Sequence, residues 1–175
     1  MLKTFTLLFF VTIGVGCSSS YKYVAPEVAG GQLRSSEGVL VSTPNDARFA
    51  DATYQGSGRM TADALRSAFA RHADTVEVVS HCHGTSCLDG IDSRTHGYYV
   101  KPEILHWEDR ATEWSGKSDR LEIRVTVYDS STRQKLATGS YSGKSKWATL
   151  GGDHPQDLLA KPTDHFVSTL YGGSD

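Results

Sequence analysis

RLEIRVTVY, residues Arg120–Tyr128, is the most regular segment of the 175-residue sequence. Its apolar and polar side chains alternate strictly, which is the pattern of a β-strand with one buried face. A polar turn follows over residues 129–134, and apolar residues resume at Leu136. The pattern predicts an antiparallel hairpin over residues 120–146. The residues expected on the buried face of its first strand are Leu121, Ile123, Val125 and Val127.

Regular patterns continue on both sides of this hairpin. Apolar or β-branched runs predict three earlier strands, near residues 39–41, 75–80 and 98–107. Helical spacing of apolar residues predicts one helix at 61–72 and another at 155–171. A helix that joins two strands usually makes them parallel. We therefore expect an α/β (α+β) domain with a single mixed sheet, the element order β-α-β-β-β-β-α, and both helices packed on one face.

The N-terminus has the layout of a secretory signal peptide. Residues 1–16 read MLKTFTLLFFVTIGVG, in which the single charge of Lys3 precedes an apolar run from Phe5 to Val15. This run is shorter than the roughly 20 residues that a membrane-spanning helix requires. We expect residues 1–16 to be removed on export.

Cys17 follows this segment and precedes three serines, Ser18–Ser20. Small residues before one cysteine resemble the lipobox of bacterial lipoproteins, although Gly14 replaces the commoner Leu-like residue. The resemblance implies a lipid, including palmitate, on Cys17, and Ser18 implies transport to the outer membrane with the domain facing the periplasm. The predicted organisation is then a lipidated cysteine with a flexible tether at residues 17–37 and a periplasmic αβ domain at residues 38–175.

The charge composition bears on the class of partner. The chain has 18 basic and 20 acidic side chains, a formal net charge of −2. This balance gives no large positive field, so we expect no nucleic-acid partner. The predicted membrane contact is made through the lipid on Cys17.

Two cysteines and two histidines lie within SHCHGTSC, residues 80–87. Because exported paired cysteines usually oxidise, we predict a Cys82–Cys87 disulfide, and neither a bound metal nor a cofactor. A metal-binding module remains an alternative, as do free thiols, because these side chains are ligands that zinc and copper accept. The candidate ligands are His81, Cys82, His83 and Cys87.

The run from Trp107 to Gly116 combines tryptophans, arginine and carboxylates. Aromatic and Arg side chains are favoured anchors at protein interfaces. We therefore predict a partner-recognition surface in which Trp114 and Arg110 make the main contacts, while Trp107 packs into the domain behind them. A glycan hydrolase or transferase is the alternative, because such enzymes use paired carboxylates. The candidate catalytic residues in that case are Glu108, Asp109 and Glu113.

A second candidate surface is the long connection at residues 43–58. It leaves the carboxyl end of the first predicted strand of the domain, where open α/β sheets tend to bind ligands. Its candidate contact residues are Asn45, Asp46, Arg48 and Tyr54.

Three segments resemble a family of Gram-negative lipoproteins that carry a domain of unknown function, DUF4823. They are Pro102-Glu103-Ile104, the run His106–Gly116, and the stretch from Gly151 to Leu159. The resemblance covers most of residues 39–171 and implies no particular activity. The element order is more distantly similar to periplasmic αβ domains of envelope-assembly lipoproteins and to the TolB N-terminal domain. We therefore expect a non-enzymatic, outer-membrane-anchored lipoprotein that binds an envelope protein or a cell-wall partner.

Overall fold

A computed structural model describes residues 19–29, 31–82, 84–110, 117–146 and 154–173. Short 3-10 helices occupy Thr85–Gly90 and Pro155–Leu158. The α-helices are α1 (Ser57–Phe69) and α2 (Ala160–Leu170). The strands are β1 (Ser20–Val28), β2 (Val39–Ser42), β3 (Ala47–Phe49), β4 (Ala52–Tyr54), β5 (Val76–Val79), β6 (Tyr98–Glu108), β7 (Arg120–Asp129) and β8 (Lys135–Lys144).

Six strands form one mixed sheet in the order β1-β8-β7-β6-β2-β5, and β3 pairs with β4 in a separate hairpin. The two strands that flank α1 in the sheet, β2 and β5, run parallel, as the sequence predicts. Strand β2 also pairs in parallel with the start of β6, while β6, β7 and β8 form an antiparallel meander. The predicted mixed α+β architecture and the hairpin within residues 120–146 are confirmed.

Both helices pack on the same face of the sheet. The alternating apolar residues of β7 join Leu65 and Phe69 of α1 and Phe166 and Leu170 of α2 in a single buried cluster. The hydroxyl groups of Tyr141 on β8 and Thr163 on α2, both fully buried, lie 2.7 Å apart and satisfy each other. Among the residues that the structure describes, no helix is long and apolar enough to span a membrane.

Strand β1 lies within the segment predicted to be a flexible tether, residues 17–37. That prediction is wrong for these nine residues, because the strand they form pairs antiparallel with β8 at the edge of the sheet, with one irregularity between Val24 and Glu27. Gly139 on β8 permits the close approach of β1, since a Cβ atom there would lie 2.9 Å from the Val24 carbonyl oxygen. Tyr23 packs its ring on His165 of α2, with the ring centroids 4.1 Å apart. Strand β1 therefore belongs to the folded domain.

Candidate functional site

One end of the sheet collects six polar side chains from strand β6, from the connection between β6 and β7, and from the connection that follows β8. Strand β6 ends there, β7 begins there and β8 ends there, because Glu108 pairs with Arg120 and Arg120 pairs with Lys144. The 3-10 helix at Pro155–Leu158 also begins at this end, since His154 contacts Asp109. We call this group the Glu108–Asp119 cluster. Its members are His106, Glu108, Asp109, Arg110, Asp119 and His154.

Glu108 is a buried carboxylate between two cationic or polar partners. Its side chain is 7% exposed. The Arg110 guanidinium donates to one carboxylate oxygen at 2.5 Å, and His106 Nε2 lies 3.4 Å from the other. A buried carboxylate is tolerated only with such partners, because the loss of hydration is costly. Arg110 therefore has a structural function as the counterion of Glu108.

Asp119 joins the backbone ends of two connections. The Arg110 backbone N–H donates to Asp119 Oδ1 at 2.5 Å, which closes the connection between β6 and β7 at its base. The Asp119 backbone N–H donates to Ser145 Oγ at 2.9 Å, and the Ser145 backbone N–H returns to the Asp119 carbonyl oxygen at 3.0 Å. Burial raises the pKa of Asp119 above its usual value, against the opposing effect of the Arg110 hydrogen bond.

Asp109 and His154 form the outer part of the cluster. His154 Nδ1 lies 3.3 Å from an Asp109 carboxylate oxygen, and this hydrogen bond raises the pKa of His154 above its usual value. One donor atom each from Asp109, Asp119 and His154 lies within 4.8 Å of the others, so these three residues could hold a metal ion. Asp119 Oδ1 already accepts a hydrogen bond from the Arg110 backbone, and His154 Nδ1 already contacts Asp109. These hydrogen bonds are sufficient to explain why the three side chains lie close together.

The structure places the residues of the Trp-rich run at different depths. Trp107 is 2% exposed and lies in the main core, so it contacts the domain and not a partner. Arg110 is half-buried at the base of the connection. Trp114 and Glu113 lie outside the described residues. The prediction for Trp114 therefore stays a prediction.

The second predicted surface, residues 43–58, contains the β3–β4 hairpin and the start of α1. Asp46 caps the N-terminus of helix α1, because its carboxylate accepts hydrogen bonds from the backbone N–H groups of Gly56 and Gly58. Asn45 and Arg48 are exposed, whereas Tyr54 packs against the core. Of the four predicted contact residues, Asn45, Asp46 and Arg48 line a depression of about 530 Å³ beside Lys101–Ile104.

The hairpin and the Glu108–Asp119 cluster lie side by side. The rings of Phe49 on β3 and His106 pack in a T-shaped arrangement, with the centroids 4.9 Å apart. The two predicted surfaces are thus brought to one region of the domain. Sequence reasoning missed Phe49 as the joining residue, and its exposed position on a three-residue strand leaves no periodic signal.

The predicted Cys82–Cys87 disulfide is present, with the two Cα atoms 5.7 Å apart. Because both sulfur atoms are in this bond, neither cysteine is available as a thiolate ligand for the alternative metal module. His83 lies outside the described residues. The loop packs on Tyr99, whose hydroxyl donates to the Gly84 carbonyl oxygen at 2.7 Å.

A mixed sheet with two helices on one face makes this chain an α+β domain. The sequence identifies its family. The chain belongs to the family described as Domain of unknown function (DUF4823), whose model matches residues 31–170. A search of curated proteins found no match to this sequence.

Solved structures share the fold at low sequence identity. The PelC dodecamer from Paraburkholderia phytofirmans has a TM-score of 0.65 at 10% identity, over 89% of this chain and 99% of that chain. Protein XCC0632 from Xanthomonas campestris, of the DUF330 family, has a TM-score of 0.52 at 16% identity, over 85% of this chain and 90% of that one. These likenesses define the fold that the chain adopts.

Proposed function

We propose that this chain is an envelope lipoprotein, anchored in the outer membrane by a lipid on Cys17, and that its periplasmic domain binds an envelope protein without catalysing a reaction. The family assignment and the N-terminal sequence support the lipoprotein assignment. The observation that carries the binding proposal is the way the Glu108–Asp119 cluster holds the connection between β6 and β7.

This connection carries Trp114, and both of its ends are fixed. Arg110 at one end donates its backbone N–H to Asp119 at the other end. Asp119 is in turn fixed to Ser145, where the next connection begins. Fixing a loop before binding lowers the conformational entropy lost on binding, so a fixed base favours recognition by aromatic and arginine anchors.

Two of the three carboxylates of the hydrolase alternative, Glu108 and Asp109, are bound by neighbouring side chains, and the third, Glu113, lies outside the described residues. A glycosidase presents two carboxyl groups to a sugar between them. Glu108 is buried and directed at Arg110 and His106, and Asp109 is paired with His154. Binding therefore explains the contacts of these two acids better than glycan cleavage does.

The experiment is crosslinking of the lipidated protein in intact envelopes, followed by affinity capture and mass spectrometry. We expect Trp114→Ala to reduce partner capture by at least about tenfold, the effect of losing one interface anchor. Arg110→Ala alone would leave the buried Glu108 without its counterion, so the double variant Glu108→Gln/Arg110→Ala is used. Its matched control is Glu108→Gln, which removes the charge and keeps Arg110.

Capture that is unchanged in both Trp114→Ala and the double variant, at equal folded protein by circular dichroism, contradicts the binding proposal. Because a structural neighbour is a dodecamer, the mass of the crosslinked species is measured as well. This mass distinguishes a different envelope protein from further copies of the chain. For the anchor, Cys17→Ser should abolish labelling by a palmitate analogue and release the protein from the membrane fraction.

A further inference from the structure

We infer that a basic region on the open face of the sheet contacts the anionic phospholipid headgroups of the membrane that holds the anchor. We call this region the basic corner and define it by Lys22, Arg120 and Lys144. The inference rests on the proposed lipidation of Cys17. It adds a second membrane contact, made by the folded domain itself.

The three cations lie on the face opposite the helices. On β7 the side chains of Leu121 and Ile123 point to the core. Successive side chains of a strand point to opposite faces, so Arg120, the residue before Leu121, points to the open face. Lys144 on β8 lies directly opposite Arg120. On the other side of β8, Lys144 lies opposite Ser20 of β1, and Lys22 follows two residues later on the same face, opposite Ser142. The side chains line one depression of about 430 Å³, together with His106 and Glu122.

The charges of the basic corner are only partly balanced within the domain, because Glu108, which lies opposite Arg120 on β6, already binds the Arg110 guanidinium. Arg120 and Lys144 are directly opposite on neighbouring strands, and like charges in this position destabilise a sheet. All three cations are exposed, and none forms an ion pair with any residue that the structure describes. Glu122 supplies one negative charge among the described residues that line the depression. An anionic surface outside the domain would offset the remaining positive charge.

The length of the chain places this corner beside the anchor. Cys17 precedes Ser20 by three residues, which span at most about 11 Å when fully extended. Ser20 itself lines the depression and pairs with Lys144. A membrane surface at the lipid is therefore within roughly one to two Debye lengths of the cations, since that length is about 8 Å at physiological ionic strength.

An apolar side chain follows the cations on the same face. Val24 is 64% exposed and lies two residues after Lys22, opposite Ser140. Basic residues with neighbouring apolar side chains are typical of surfaces that lie in the headgroup region. Each basic residue near an anionic membrane strengthens binding by about fivefold, so three together amount to roughly a hundredfold. This argues for a lipid surface as the occupant of the basic corner.

The test uses the full-length lipidated protein in vesicles of phosphatidylethanolamine and phosphatidylglycerol, with a quencher attached to a fraction of the headgroups. A fluorophore is placed on Ser140→Cys, on the open face of the sheet, or on Ser67→Cys, exposed on α1. The native Cys82 and Cys87 are in a disulfide and do not react. We expect headgroup quenching at position 140 at least fivefold stronger than at position 67, and lost in phosphatidylcholine vesicles or at 1 M salt, where the Debye length is about 3 Å.

Two triple variants with the same change of charge test the location. Lys22→Gln/Arg120→Gln/Lys144→Gln should reduce quenching at position 140 to the level at position 67. The matched control is Arg59→Gln/Arg94→Gln/Lys135→Gln, whose three residues are exposed elsewhere on the domain and which should leave quenching unchanged. Inorganic phosphate should compete no better than sodium chloride of equal ionic strength, because the site is a surface contact and not a pocket for free phosphate.

Anchoring is read separately by flotation of the protein with the vesicles. Flotation without stronger quenching at position 140 overturns the inference and leaves the lipoprotein proposal intact. Equal losses in the two triple variants overturn it as well, because the effect would then belong to net charge. Failure to float, with the fluorophore reacting at Cys17, overturns the lipoprotein proposal and this inference with it.

Discussion

Replacing Asp46 by alanine tests whether this residue stabilises helix α1. The sequence alone predicted a different role, contact with a ligand or partner. Helix α1 begins at Ser57 after Gly56, which has no side chain to cap it. The Asp46 carboxylate supplies the cap from ten residues away, because Oδ2 accepts from the Gly56 N–H at 3.0 Å and Oδ1 from the Gly58 N–H at 2.9 Å. Asp46→Ala removes both acceptors.

The expected loss follows from two contributions. Removing a side-chain cap costs about 1 kcal/mol. Removing a carboxylate from the positive end of the helix macrodipole costs roughly 0.3–1 kcal/mol more. We expect the free energy of unfolding to fall by about 1.3–2 kcal/mol. For a domain of this size that lowers the melting temperature by about 3–8 °C.

The measurement is thermal unfolding of the full-length protein, followed by far-ultraviolet circular dichroism. Asp46→Asn keeps one oxygen acceptor but loses the charge, so its melting temperature should lie between those of the alanine variant and the original protein. Asn45→Ala is the matched control, because Asn45 is the exposed neighbour and its change should alter stability by less than about 0.5 kcal/mol. A melting temperature of Asp46→Ala within about 1 °C of the original, together with reduced partner capture, would refute the helix-capping argument.

Two further predictions concern the disulfide and the cluster. The mature domain should have an intact mass two hydrogens below that of the dithiol form, and two freely alkylatable thiols in unreduced protein would contradict the disulfide. The variant Cys82→Ser/Cys87→Ser should lower the free energy of unfolding by about 2 kcal/mol, because it releases a short loop. The imidazole of His154 should titrate above its ordinary value of about 6.5 in nuclear magnetic resonance spectra, and Asp109→Asn should lower that pKa. Because folding raises the pKa of His154, the stability that the His154–Asp109 pair contributes is fully present below a pH of about 6.5. It is lost as the pH rises through the pKa of His154 in the folded protein. A His154 pKa unchanged by Asp109→Asn would show that the pair does not form.

The elements that the sequence predicted correctly are those with a local periodic signal. Strand β7 alternates over its whole length because one face is buried and the other is open. Strand β1 was missed because its order depends on pairing with β8 and on the space left by Gly139. The β3–β4 hairpin was missed because its strands have three residues each, too short for a period to show.

The candidate site was predicted in part for the same reason. The Trp-rich run was recognised from composition, and its burial at Trp107 was expected. The roles of Asp119 and Ser145 were missed, since each acts through a backbone contact with a residue distant in the chain. The helix-capping role of Asp46 was missed because its partners, Gly56 and Gly58, lie ten and twelve residues away in the sequence.

The sequence by itself determined the mixed sheet, the parallel pairing around α1, the Cys82–Cys87 disulfide and the family, because each depends on residues close together in the chain or on a contiguous pattern. The tertiary structure alone decided that β1 closes the edge of the sheet, that Asp119 fixes the ends of two connections, and that Lys22, Arg120 and Lys144 form one basic corner. The physical reason is that the energies of hydrogen bonds and of charge repulsion depend on the distance between the groups in space, and not on their separation in the sequence. Strand register sets that distance, and register follows from the packing of the whole sheet.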